Sequence, residues 1–158
     1  MGEEKTMKTI QQFVAIFFNQ KIYHTYSSSR GSGIVFELRY KKQIFTVNII
    51  YVLTFVITTT EICSKNPVSP VSSKSVQLLF DDINKYKTSY KWYLDNYGFY
   101  FLRSTFNYDW FDSKRYPKVV KFMCKKFSSL SAYIEDLGHG RKTYQNVYNE
   151  LWQKGLIK

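Results

Sequence analysis

Asp109 and Asp112 flank Trp110-Phe111, and two acids so placed could divide general acid and general base work if their surroundings pushed their pKa values apart. Nothing near them supplies a nucleophile or an oriented base, so helix capping is the simpler role for Asp112. Asp81-Asp82 falls inside a helical pattern and reads as solvated. Cys63, Cys124, His24 and His139 are ligand types for a metal ion, but no spaced pair among them suggests a zinc site. His139, between two glycines, reads as a helix-end residue near the last carbonyls. Arg30-Gly31-Ser32-Gly33 has the glycines of a phosphate cradle, yet it precedes a strand instead of joining a strand to a helix. No catalytic residue, metal or cofactor is therefore expected, and the chain reads as a non-enzyme.

Binding chemistry is better represented. Lys114, Lys118, Lys121 and Lys125 recur at helical spacing opposite an apolar stripe, where they could meet phosphates or an acidic protein; a solvated helix face is the simpler reading. Tyr90, Trp92, Leu94, Phe99 and Phe101 could stack bases as sheet platforms do, but with helices at hand to cover them they read as core. Tyr93, Tyr97 and Tyr100 are expected on the other pleat or at the turn, as a partner surface and as an edge through which two copies could pair.

The composition agrees with a binding role without choosing the partner. Of 158 residues, 44% are hydrophobic and 19% aromatic, enough for one domain with a substantial core. The net charge is +11: residues 1–62 carry seven Lys/Arg against four Asp/Glu, and residues 63–158 carry sixteen against eight. Such a balance attracts nucleic acid, membrane surfaces and acidic proteins alike. Two cysteines make no disulfide framework; both are expected as free thiols in a reducing, cytoplasmic setting. Val47 to Ile57 is the most apolar window but is too short for a membrane span of about 20 residues. Met1-Gly2-Glu3-Glu4-Lys5-Thr6 matches only the bare N-myristoylation pattern, and Met7-Lys8 reads equally well as the start behind an added leader.

The elements that would position these residues follow from periodicity. Ile10, Phe13, Val14, Phe17 and Phe18 share a helical face over 7–22, and residues 24–33 read as a flexible loop. Ile34 to Tyr40 alternates as a half-buried strand, with Lys41-Lys42 as a hairpin tip. Residues 43–62 are β-branched enough for two strands, broken near Asn48 to Tyr51. Asn66-Pro67-Val68-Ser69-Pro70 punctuates the chain. Val76, Leu79, Phe80 and Ile83 mark a helix capped by Ser73 or Ser75 and running to about Lys87. A hairpin spans 89–106 with its turn at Asn96-Tyr97-Gly98. Val119, Val120, Met123, Phe127, Leu130, Ile134 and Leu137 mark a helix from Pro117 to Gly138, and Tyr144, Val147, Tyr148, Leu151 and Trp152 another closed by Gly155. The predicted fold is a single α+β domain over 1–158: an antiparallel sheet of about five strands with helices packed on it, in the order α-β-β-β-α-β-β-α-α.

Leu79-Phe80-Asp81-Asp82-Ile83-Asn84-Lys85-Tyr86, followed by Trp92-Tyr93-Leu94-Asp95-Asn96-Tyr97-Gly98-Phe99-Tyr100-Phe101-Leu102, resembles the YbjN family. That family pairs an Ile-Asn step near a helix end with a Tyr-Leu-Asp edge and an acidic-glycine turn; here Asn96 and Tyr97 replace the acids of the turn. The resemblance covers residues 7–137, with 138–158 as a helical addition. It implies the fold of type III secretion chaperones, which bind protein clients, commonly as dimers; those chaperones are acidic, whereas this chain is basic. The expected function is a non-enzymatic, chaperone-like or regulatory protein-binding module, homodimeric in its fullest form, that uses exposed aromatic and basic surface. The alternative is a nucleic-acid-binding protein using the lysine face and the sheet aromatics.

Overall fold

Alternation in β2 (Gly31–Tyr40) and β3 (Gln43–Val52) sets the inner face of the sheet: Phe36 lies opposite Val47 and Leu38 opposite Phe45, all four buried. The computed structural model describes residues 22–28, 31–52, 57–85, 89–107 and 115–157. β1 (Ile22–Ser28), β4 (Ile57–Cys63), β5 (Tyr90–Leu94) and β6 (Tyr100–Asn107) complete a six-stranded sheet in the order β1-β2-β3-β4-β6-β5, with every neighbouring pair antiparallel. Three helices, α1 (Ser73–Asn84), α2 (Arg115–Gly138) and α3 (Tyr144–Gln153), pack on one another, and α1 and α2 also pack on the sheet. This is the α+β architecture expected, and from β2 onward the order β-β-β-α-β-β-α-α is also as expected.

The differences are informative. Residues 24–33, read as a loop, supply most of β1 and the start of β2; pairing at the sheet edge overrides the weak strand propensity of serine. The helix expected over 7–22 lies outside the described residues except for Ile22, which begins a strand. The break expected near Asn48 to Tyr51 comes later, after Val52: β3 stays paired with β2 through Tyr51 and with β4 through Val52, and the Asn48 amide donates to Glu61 across the β3–β4 ladder at 3.1 Å. Ser73 does not cap α1. A 3-10 turn, Pro70–Ser72, leads into the helix, and the Ser73 hydroxyl donates to the Pro70 carbonyl at 2.9 Å.

The core joins both layers through aromatic rings. Trp92 lies between Phe80 (centroids 5.7 Å apart) and Phe127 (5.5 Å), and Phe127 stacks on Tyr100 at 5.6 Å. The segment around Val68 straps the layers together. Val68 N–H donates to the Gly98 carbonyl at the β5–β6 turn, and Ser69 N–H donates to the Gly138 carbonyl at the end of α2, both at 2.9 Å. Both glycines are needed here: a Cβ on Gly98 would lie 2.8 Å from the Val68 carbonyl oxygen, and one on Gly138 would lie 2.5 Å from Val68 Cγ1.

Candidate partner-binding surface

α2 carries five basic residues, Arg115, Lys118, Lys121, Lys125 and Lys126, before its first carboxylate at Glu135. Its inner stripe, which includes Val120, Met123, Cys124, Phe127 and Leu130, is buried in the core and holds the opposite face outward. Lys118, Lys121 and Lys125 are exposed there, and no carboxylate among the described residues pairs with them. Lys118, in the first turn of the helix, stands against the positive end of its dipole, an arrangement that local stability does not favour.

Two apolar side chains stand among these lysines. Phe122 is 50% exposed, with its ring 5.1 Å from that of Tyr90 at the start of β5. The chain leaving α3 turns at Gly155, where Leu156 N–H donates to the Leu151 carbonyl at 2.9 Å; Ile157 is then buried and Leu156 is left 39% exposed. Phe122, Lys125, Lys126, Ser129, Leu130 and Leu156 line a groove of about 310 Å³. Lys126 reaches back over the Tyr90 ring, its amine 5.6 Å from the centroid. Burial lowers the pKa of the Lys126 amine and raises that of the Tyr90 hydroxyl.

The tyrosines expected at a partner surface are dispersed. Tyr97 is 82% exposed at the hairpin tip, near Val68 and the far end of α2. Tyr93 stacks on Phe101 at 5.5 Å, on the sheet face away from the helices, with the Arg103 guanidinium carbon 4.6 Å from its ring centroid. Tyr100 is not on that face. It is 2% exposed, and its hydroxyl donates to Glu135 Oε1 at 2.6 Å; burial and this bond both raise its pKa. Phe101 is correspondingly turned outward, not into the core. Residues opposite each other in an antiparallel ladder share a face, and Leu94 pairs with Tyr100, so the inward set of β6 is Tyr100, Leu102 and Ser104. Lys114, Asp109 and Asp112 lie outside the described residues.

Sequence reasoning found Lys118, Lys121 and Lys125 but missed Phe122, Lys126 and Leu156 beside them. Phe122 was the legible one, as an aromatic at helical spacing on the lysine face. It also missed an ion pair on the outer face of the sheet. There Glu61, 6% exposed, accepts from Arg103 Nε at 2.8 Å and Nη2 at 2.7 Å. Both thiols are poor nucleophiles: burial is the largest cause pushing Cys63 and Cys124 up to about 12, and neighbouring Glu61 adds to the shift at Cys63. Among the described residues no three His, Cys, Asp or Glu side chains gather to hold a metal ion, and no helix is long and apolar enough to cross a membrane. No protein-family model, curated protein or solved structure matches the chain.

Proposed function

We propose that the protein is a non-enzymatic protein-binding module whose α2 face receives a partner presenting carboxylates around an apolar side chain. The observation that carries this reading is the carboxylate-free run of α2, where Lys118, Lys121 and Lys125 have no carboxylate partner among the described residues and Lys125 borders a groove with Phe122 and Leu156 exposed in it. Charge alone suits any polyanion, but exposed apolar side chains between the cations suit a peptide surface better than a phosphate backbone. Of the side chains that could stack bases, Trp92 is buried beneath the helices, whereas Phe101 is turned to the outer face of the sheet, away from the α2 lysines. The YbjN-like motif from Leu79 to Leu102 supports the same class of role, since the resemblance implies client binding.

Cross-linked capture with the full chain, followed by mass spectrometry, tests the proposal. A protein partner should be recovered by the wild type and lost with Lys118→Glu/Lys121→Glu/Lys125→Glu or with Phe122→Ser. Recovery of nucleic acid alone, with an affinity falling steeply and linearly in log salt, would replace this reading with a phosphate-binding one.

A further inference from the structure

The β3–β4 ladder ends at Thr46 opposite Cys63, and beyond that pair the two chains separate. Ser64 turns toward β6: its N–H donates to the Tyr100 carbonyl at 2.8 Å, and its Oγ accepts the Tyr100 N–H at 3.0 Å. The separation leaves a cleft of about 550 Å³, floored by α2, within the usual range for small-molecule sites.

We propose that this cleft is a binding site for a small phosphate ester whose other end carries hydroxyl or amino donors. Lys42 and Lys65 stand on its two walls, both exposed, and no carboxylate among the described residues pairs with either. Lysine, a compact charge with rotatable donors, suits a tetrahedral phosphate. The deeper lining is rich in acceptors. Glu135 takes one bond at each oxygen, from the Tyr100 hydroxyl and from His139 Nε2 (3.0 Å), and retains lone pairs for a ligand donor. Ser64 Oγ only accepts in its bond to Tyr100, so its proton is free to donate. Ser128 is committed to Gln43 Oε1 at 2.6 Å and holds that wall in place.

The tip that carries Lys42 gives an independent reason. Lys41 (φ +48°) and Lys42 (φ +66°) both occupy the left-handed region, at the two central positions of a hairpin turn for which Asn-Gly is the unstrained choice. Lys41 lies over the Tyr40 ring, its amine 5.5 Å from the centroid, and Lys42 faces the cleft. Neither lysine is a residue that this turn favours on conformational grounds.

The site is separate from the α2 lysine face and does not depend on the protein-binding reading. Amide NMR titration of the full chain tests it, with a hexose phosphate and phosphoethanolamine as probes and inorganic phosphate, sulfate and the neutral hexose as controls. The esters should shift the amides of Ser64, Ser128 and Ser131. Their affinity should fall about tenfold or more in Lys41→Asn/Lys42→Gly and in Lys65→Ala, and stay unchanged in Lys118→Glu/Lys125→Glu. Three results would each overturn the proposal: no shift at these amides, equal binding of sulfate and esters, or affinity preserved in both cleft variants.

Discussion

Asn84 holds Trp92 by both of its backbone groups. The Asn84 side-chain Nδ2 donates to the Trp92 carbonyl at 2.7 Å, and its Oδ1 accepts the Trp92 N–H at 2.9 Å. One amide at the end of α1 thus acts as a missing strand along the open side of β5, the last strand of the sheet. The middle of that edge is closed to a second copy of the chain, which argues against pairing of two copies through the hairpin.

Replacing Asn84 with Ala should therefore have two effects. Stability should fall by about 1–3 kcal/mol as two part-buried hydrogen bonds are lost. The uncovered edge should also raise self-association. Denaturant unfolding measures the first and light scattering over a concentration series the second; a variant equally stable and equally monodisperse would refute the strand-mimic role.

The strap around Val68 should not tolerate bulk on either side. Gly98 sits at φ +89° with its absent Cβ directed at the Val68 carbonyl oxygen. Gly98→Ala should cost about 2 kcal/mol or more, combining left-handed strain with the clash. Its thermal unfolding midpoint should fall well below that of Gly155→Ala, where a Cβ would meet nothing within 4 Å despite a similar φ of +70°.

On α2, stability and binding should oppose each other. Lys118→Glu puts an acid in the first helical turn, where the dipole favours it, and should stabilise the fold by about 0.3–1 kcal/mol at low salt. The same change should weaken capture of an acidic partner. Thermal unfolding and partner binding, measured on one preparation, show whether the two move in opposite directions.

The junction between α2 and α3 should contribute to the acid limb of stability. Asp136 is held below its ordinary pKa, first by the hydrogen bond from Arg141 at 2.9 Å and also by Lys142. Lys142 is held above its ordinary value, first by its hydrogen bond to Glu150. A lowered carboxylate pKa gives stability that is complete above the unfolded value and lost as pH falls through the folded one. A raised lysine pKa gives stability that persists until pH rises through the folded value. The unfolding midpoint should be flat between about pH 5 and pH 9 and fall on the acid side, and Asp136→Asn should flatten that fall.

Relaxing the β2–β3 tip should stabilise the protein. Lys41→Asn/Lys42→Gly removes left-handed strain at two positions and should raise stability by about 1–2 kcal/mol in denaturant unfolding.

Much of this architecture was legible in the residues themselves. Val76, Leu79, Phe80 and Ile83 in α1, and Val119, Val120, Met123, Phe127, Leu130, Ile134 and Leu137 in α2, record a buried face at helical period, and all are buried except Val119, which is half-buried against the core. Phe36 and Leu38, alternating with Glu37 and Arg39, do the same for β2. Such patterns are local, because burying one face of a helix or strand requires nothing beyond the spacing of its own apolar residues.

What the tertiary structure alone decided is how those faces meet. In Phe99-Tyr100-Phe101 every residue is aromatic, so no polar partner marked the wet side, and the pairing of Leu94 with Tyr100 chose it. The membership of β1 in the sheet, the ion pair of Glu61 with Arg103, and the placing of Leu156 beside the α2 lysines all depend on segments distant in the chain. Periodicity states that a face is buried. Which face it meets, and in what register, is settled by turn geometry and by packing between residues far apart in sequence.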